Sequence, residues 1–363
     1  MDDALELAVE LNTTPRTAEE RAALLAEPGF GRVFTDHMAT ATWTADGGWR
    51  DPTIRPYGPL SFDPATSFLH YGQAIFEGFK AYRHPDGSVV TFRPERNGAR
   101  FRRSAARLAL PELPVEWFVG LADELIRTDR EWVPTGGEAS LYLRPLMLGT
   151  EVQLGVKPSS EALFLIVASP AGSYFAGGVK PVTIWLSEEY VRASPGGTGA
   201  AKCAGNYAAS LLPQQEAIAN GCDQVAFVDA VEHRWVEELG GMNLFFVHDD
   251  GSIVTPELTG TILEGVTRDA ILTLAGELGH KVEERRVDIA EWRDGVATGR
   301  VAEVFACGTA AVVTPVGRLK WRGGEVATGD GGTGPVTQKI RDTLLDLQLG
   351  RAEDTHGWLH RVC

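Results

Sequence analysis

The 363-residue chain carries a formal charge of −15, with apolar residues making up 44% of its composition. That length is long for one hydrophobic core and comfortable for two domains meeting at a cleft. The acidic balance disfavours a nucleic acid or an anionic membrane as partner, because the summed field repels a polyanion.

The start, MDDALELAVE, is acidic where a signal peptide is basic, and no apolar run reaches the roughly 18 residues of a membrane span, so a cytoplasmic protein is expected. Residues 1–32 read as a helical, polar lead-in, and FTDHMATATW (34–43) begins a strand-rich stretch. AYRHPDGSVVTF (81–92) and LFFVHDDGSIVT (244–255) each set Asp-Gly between β-branched or aromatic runs, the turn chemistry of a tight hairpin. Helical periodicity runs through 97–108, 115–127, 207–220, 267–278 and about 336–348, with Gly221 and Gly279 as C-terminal stops. LFLIVAS (163–169), VTIWLS (182–187), QVAFVD (224–229) and EVFACG (303–308) read as buried strands. PAGSYFAGGVKP (170–181) breaks this regularity with prolines and glycines. The expected domains are therefore residues 1–170 and 182–363, joined by a linker at 171–181. Cys203, Cys222, Cys307 and Cys363 are scattered without C-x-x-C pairing or His clusters, which fits reduced thiols and no metal site.

The glycine-rich stretch GGTGAAKCAGNYAASLL (196–212) holds Lys202, one of only seven lysines in the chain. An amine that must be neutral near pH 7 to act as a nucleophile needs partial desolvation, a tuning open to lysine and closed to arginine. On its own, such a lysine reads as a solvated turn residue. A Walker A loop would need Gly before the lysine and Ser or Thr after it, and here Ala201 and Cys203 stand there. A dinucleotide G-x-G-x-x-G beginning at Gly197 would need glycine at position 202 itself.

Five segments, in order, resemble the branched-chain amino acid aminotransferases of pyridoxal-phosphate fold type IV, from FTDHM near residue 34 to the C-terminus. The resemblance implies an N-terminal α+β domain, a C-terminal α/β pseudo-barrel domain and pyridoxal 5′-phosphate (PLP) as cofactor. In AKCAGNYAASLL it implies Lys202 as the covalent, catalytic residue and Tyr207 as donor to the cofactor's 3-oxygen. In VEELGGMNLFFV, the register of Gly240, Met242 and Asn243 selects Glu238 for the pyridine nitrogen and leaves Glu237, on the other strand face, a solvated role. VTFRPERNGARFRRS implies Arg100 on the phosphate, with Arg102 and Arg103 as surface charges. Val266 and Thr267 open a helix toward the same phosphate, after Gly265. CGTAA adds Thr309 to it and offers the amides of Thr309 and Ala310 to the substrate carboxylate.

Substrate contacts implied by the resemblance are Phe76 and, from the partner of a homodimer with shared sites, Tyr71 in LHYGQAIFEGFKAYR. Tyr142 and Arg144 in SLYLRPLMLGT and Tyr174 in the linker complete the set. A pocket that takes both an apolar side chain and the glutamate carboxylate needs such an arginine, tethered by tyrosines at its rim. The implied reaction is ping-pong transamination between leucine, isoleucine or valine and 2-oxoglutarate. A D-amino acid aminotransferase or aminodeoxychorismate lyase of the same fold shares the cofactor apparatus, and EGFKAYR and SLYLRP favour the branched-chain group. A non-catalytic metabolite-binding protein needs neither Lys202 nor Glu238. Some family members carry a C-x-x-C after the Gly-Thr-Ala element; here those positions are Ala311 and Thr314, so thiol regulation of that kind is not expected.

Overall fold

A computed structural model of the chain describes residues 6–172 and 180–363. They form two compact units. One comprises the described residues up to 172 with Ala201–Ala204 and Leu347–Cys363; the other comprises residues 180–200 with Gly205–Asp346. The sequence-based boundary at 170–182 thus misses two short segments that belong with the N-terminal unit, and hydrogen bonding gives the reason. Leu359–Arg361 pairs antiparallel with Val89–Phe92, and Cys203 bridges Ile75 on the strand Ala74–Phe76. The linker's residues 173–179 lie outside the described residues.

The first unit is built on a largely antiparallel sheet. Its strands run Ala8–Val9, Gly48–Pro56, His37–Thr44, Glu161–Ala171, Ser140–Gly149, Phe79–Arg83, Val89–Phe92 and Leu359–Arg361 in spatial order, and Ala74–Phe76 also pairs with Ser140–Gly149. The expected hairpin over 81–92 is present with its Asp-Gly turn. The helices Pro94–Arg107 and Val115–Thr128 supply apolar faces to the core, where Phe101, Phe118 and Phe164 meet at ring distances of 5.4 to 6.2 Å. The first of these helices starts three residues earlier than its periodicity suggests, because Pro94 sits at the N-terminal turn, where a missing N–H costs nothing. The lead-in is helical only over Ala18–Ala26, opened by a capping box between Thr17 and Glu20. Before it, Ala8–Val9 lies parallel to Gly48–Pro56, so helix periodicity over-reads residues 1–32.

In the second unit the strands Val236–Leu239, Gln224–Val228, Val182–Ser187, Val312–Trp321, Val301–Gly308 and Asn243–His248 follow one another side by side. The ring closes where Glu238 pairs with Asn243. This closed circuit is the pseudo-barrel implied by the resemblance, and Ile253–Thr255 and Val282–Glu284 extend it. Trp292, on the helix Ile289–Thr298, is fully buried against Phe246, with ring centroids 5.2 Å apart. The expected helix over 207–220 is two helices, Ala204–Ala209 and Leu211–Ala219, separated at Ser210. Pro213 has no N–H to bond back to the turn before it, so one continuous helix is unfavourable there.

Candidate active site

In the first unit, one face of the helix Pro94–Arg107 carries Asn97, Arg100 and Ser104 at helical spacing, all buried. Two of them converge on Glu77, which is fully buried just after the strand Ala74–Phe76. Arg100 Nε donates to Glu77 Oε1 at 2.6 Å and Nη2 to Oε2 at 2.9 Å, a bidentate pair, while Asn97 Nδ2 donates to Oε2 at 2.8 Å. Burial pushes the Glu77 carboxyl up, but Arg100, Lys202 and Asn97 together outweigh it and hold the group below the usual range. The third residue, Ser104, accepts from the backbone N–H of Lys202 at 2.9 Å, and the Lys202 carbonyl accepts from the Phe76 N–H at 3.0 Å. Lys202 is therefore clamped at its backbone between a helix and a strand, and its amine lies 4.6 Å from the Phe76 ring centroid.

Desolvation, reinforced by Arg100 and partly opposed by Glu77 and Tyr142, lowers the Lys202 amine to about 8. The unfolded chain keeps that proton up to about 10.5. Between these values the unfolded state binds more protons, so the contribution of Lys202 to stability is least favourable below pH 8 and improves as pH rises through the window. In the cofactor-free protein, the rate of acylation at Lys202 should titrate with a midpoint near 8, read by mass spectrometry of the modified peptide; a midpoint at the ordinary lysine value would show a solvated side chain.

Arg144 extends the same cluster. Its guanidinium stacks on Phe76 and Tyr142, at 5.0 and 5.3 Å, and its Nη2 donates to the Tyr142 hydroxyl at 3.1 Å. Its Nε is buried with no hydrogen-bond partner, an orphaned cationic donor in an aromatic setting. Tyr71 is 42% exposed and donates to the Leu154 carbonyl. Tyr174 lies outside the described residues. Arg102 and Arg103 are exposed, as the sequence suggests, and Arg102 pairs with Glu112.

The second unit organises a carboxylate. Glu238 is 1% exposed; its Oε1 forms an ion pair with Arg192 Nη1 at 2.9 Å and accepts from the Leu263 amide at 2.8 Å, and Asn243 Nδ2 reaches Oε2 at 3.4 Å. Arg192 also donates to the carbonyls of Gly199 and Thr261, tying the glycine-rich loop to the 261–263 segment. That approach requires glycine, since a Cβ at 199 would lie 2.3 Å from the Thr261 carbonyl oxygen. Gly265 is constrained likewise by Asn243, and it begins the helix Val266–Glu277, whose Val266 and Thr267 are both buried. Thr309 and Ala310 form a partly exposed turn just after the strand Val301–Gly308. Tyr207 is partly buried on the short helix Ala204–Ala209.

The expectation that Glu237 is solvated is corrected: it is 4% exposed and bonded to Thr261 Oγ1. The strand does put the two glutamates on opposite faces, but its second face is covered too. Sequence reasoning also passed over Glu77, Asn97 and Arg192. A signal existed for Glu77, since a lone acid inside the apolar run IFEGF must find a buried cation. Arg192, ten residues before the lysine in an irregular loop, gave none.

The chain belongs to the class IV aminotransferases, whose family profile, described as amino-transferase class IV, matches residues 74–319. It is 61% identical over 349 residues, 96% of both chains, to a probable branched-chain-amino-acid aminotransferase of Streptomyces coelicolor. Among solved structures it resembles the branched-chain amino acid aminotransferase of Escherichia coli, with TM-score 0.74, 31% identity and coverage of 90% of this chain and all of that one. The holo, PLP-form enzyme of Thermobaculum terrenum gives TM-score 0.75 at 26% identity, over 90% and 98% of the two chains. Within its family the chain falls in the branched-chain-amino-acid aminotransferase group, and its cofactor is PLP. The residues present fit that group: an amine lowered to about 8, a buried arginine beside it, and in the second unit a fixed carboxylate and a buried helix start.

Proposed function

We propose that this chain moves the amino group of leucine, isoleucine or valine to 2-oxoglutarate, yielding branched-chain 2-oxo acids and glutamate, with the residues named above in the roles that follow. One observation carries the reading. The Lys202 amine and the Arg144 guanidinium share the ring of Phe76, at 4.6 and 5.0 Å, so a nucleophile and an unsaturated carboxylate receptor flank one apolar wall. Such a wall accepts a branched alkyl side chain, and the arginine accepts the second carboxylate of glutamate.

When bound, PLP supplies a carbonyl carbon to amines and a ring that withdraws electrons from the substrate Cα. Lys202 Nζ holds the cofactor between turnovers. As a free amine near its own pKa, it would take the proton from the substrate Cα and give it back on the other side of the substrate nitrogen. Arg100, fixed in orientation by its two bonds to Glu77, provides the phosphate cation; Val266 and Thr267 add amides and a hydroxyl at a helix N-terminus, and Thr309 adds a second hydroxyl. Tyr207 donates to the 3-oxygen and Glu238 pairs with the ring nitrogen. Ala310 and Thr309 offer amides to the substrate α-carboxylate, and the resemblance adds Tyr174 as a further substrate contact. The enzyme works as a cytoplasmic homodimer in which Tyr71, exposed on the helix Ser67–Tyr71, completes the partner's pocket.

The pocket assignment is tested with Arg144→Met in single-turnover reactions. The glutamate half-reaction should slow by about 10- to 100-fold, the loss of one charge-assisted contact, while the leucine half-reaction changes little. Equal losses would make Arg144 a structural residue and move the carboxylate site elsewhere.

A further inference from the structure

On the face of the strand Val236–Leu239 that carries Glu237, the second unit has a cavity of about 330 Å³, within the size range of small-molecule sites. Glu237 lines it and is 4% exposed, yet its Oε2 has no hydrogen-bond partner; only Oε1 is engaged, by Thr261. A buried carboxylate oxygen left in that state is costly and signals a missing donor. Each of the other charged groups around the cavity already has a partner. Arg286 lies between Glu257 at 3.3 Å and Glu232 at 3.8 Å. Asp229 accepts from four backbone amides, those of Val231, Glu232, Arg234 and Trp235. The remaining walls include the indole of Trp235, pinned by its Nε1 bond to Glu232, and the buried Ile262.

We propose that this cavity binds a small organic ammonium ion, its N–H on the Glu237 carboxylate and its alkyl part against Trp235 and Ile262. The uncompensated charge is negative, so an anion is repelled, and the apolar walls favour an alkylammonium over a bare metal cation. The reading is independent of the transamination reaction, because the strand turns Glu237 away from the face of Glu238. Burial, with Glu238 next to it, holds the Glu237 carboxyl above its ordinary range, and a bound ammonium relieves that penalty.

The test uses the PLP-loaded enzyme and N,N-dimethylisobutylammonium, which keeps one N–H but, as a tertiary amine, makes no covalent bond to the cofactor. Ligand-observed NMR should show saturable binding that Glu237→Gln weakens by at least about tenfold, with turnover of leucine retained. Should that variant fail to fold, the wild-type enzyme decides the question alone, since 4-methyl-2-pentanol, a neutral alcohol of similar shape, should bind at least about tenfold more weakly than the ammonium. The proposal is overturned by absence of saturable binding, by equal binding to Glu237→Gln, or by equal binding of alcohol and ammonium.

Discussion

Lys202→Ala should leave a folded protein that no longer holds PLP through a reducible covalent bond and turns over leucine more slowly by at least about 10⁴-fold. The loss combines the covalent step with proton transfer, the latter alone worth roughly 10²- to 10⁴-fold. The fold should survive because what anchors this position is backbone: the Ser104 hydroxyl on the 202 amide and the Phe76 amide on the 202 carbonyl. Removing the amine also removes a partly desolvated charge, so the variant should melt no lower than the wild type below pH 8. Borohydride reduction followed by peptide mapping, with melting curves on the cofactor-free proteins, reads both outcomes. Near-normal turnover in the variant would place the covalent residue elsewhere.

The second large effect is expected at Glu238. Glu238→Gln keeps the shape of the side chain but removes the negative charge that stabilises a protonated ring nitrogen, and turnover should fall by about 10²-fold or more. Part of the damage arises inside the protein, because Arg192, whose Nε and Nη2 have no hydrogen-bond partner, would keep a buried charge without its carboxylate. Glu237→Gln, one residue away, should be nearly silent in the same assay, since that side chain bonds to Thr261 on the opposite face. The reverse ranking would show that the strand register assigns the wrong glutamate. Steady-state rates for the two variants, with circular dichroism as a check on folding, settle the order.

Elements with a local chemical cause were readable from sequence. The Asp-Gly turns gave both hairpins, and runs such as VTIWLS and QVAFVD gave interior strands of the ring. Errors arose where distant residues decide. Helix periodicity over 1–32 did not register that Ala8–Val9 is taken up by a strand some forty positions later. One local cause was missed as well: the 207–220 pattern was carried across the break at Ser210, because apolar spacing ignores the amide missing at Pro213. For the site, motif resemblance named Lys202, Glu238 and Arg100, the residues proposed to meet the cofactor. It was silent about Glu77, Asn97 and Arg192, whose work is to hold those groups, since a holder is recognisable only once the chain has brought it to its partner. The burial of Glu237 was missed for a related reason: alternation along a strand says that two side chains part, not that one of them reaches water.

The first unit is woven from three stretches of chain, and this bears on how the protein is born. Its sheet gains Leu359–Arg361 beside Val89–Phe92 only long after that strand has been synthesised, and residues 201–204 reach their strand after the chain has already entered the second unit. On the ribosome the leading segment therefore waits, incomplete, until residues 359–361 have been made, a route of high contact order that is slow and exposes unpaired strand edges meanwhile. The Lys202 amine meets its desolvating neighbours only once residues 201–204 have inserted beside Phe76 and Ser104, so a nascent chain that has not yet reached that insertion has no pocket in which to lower it.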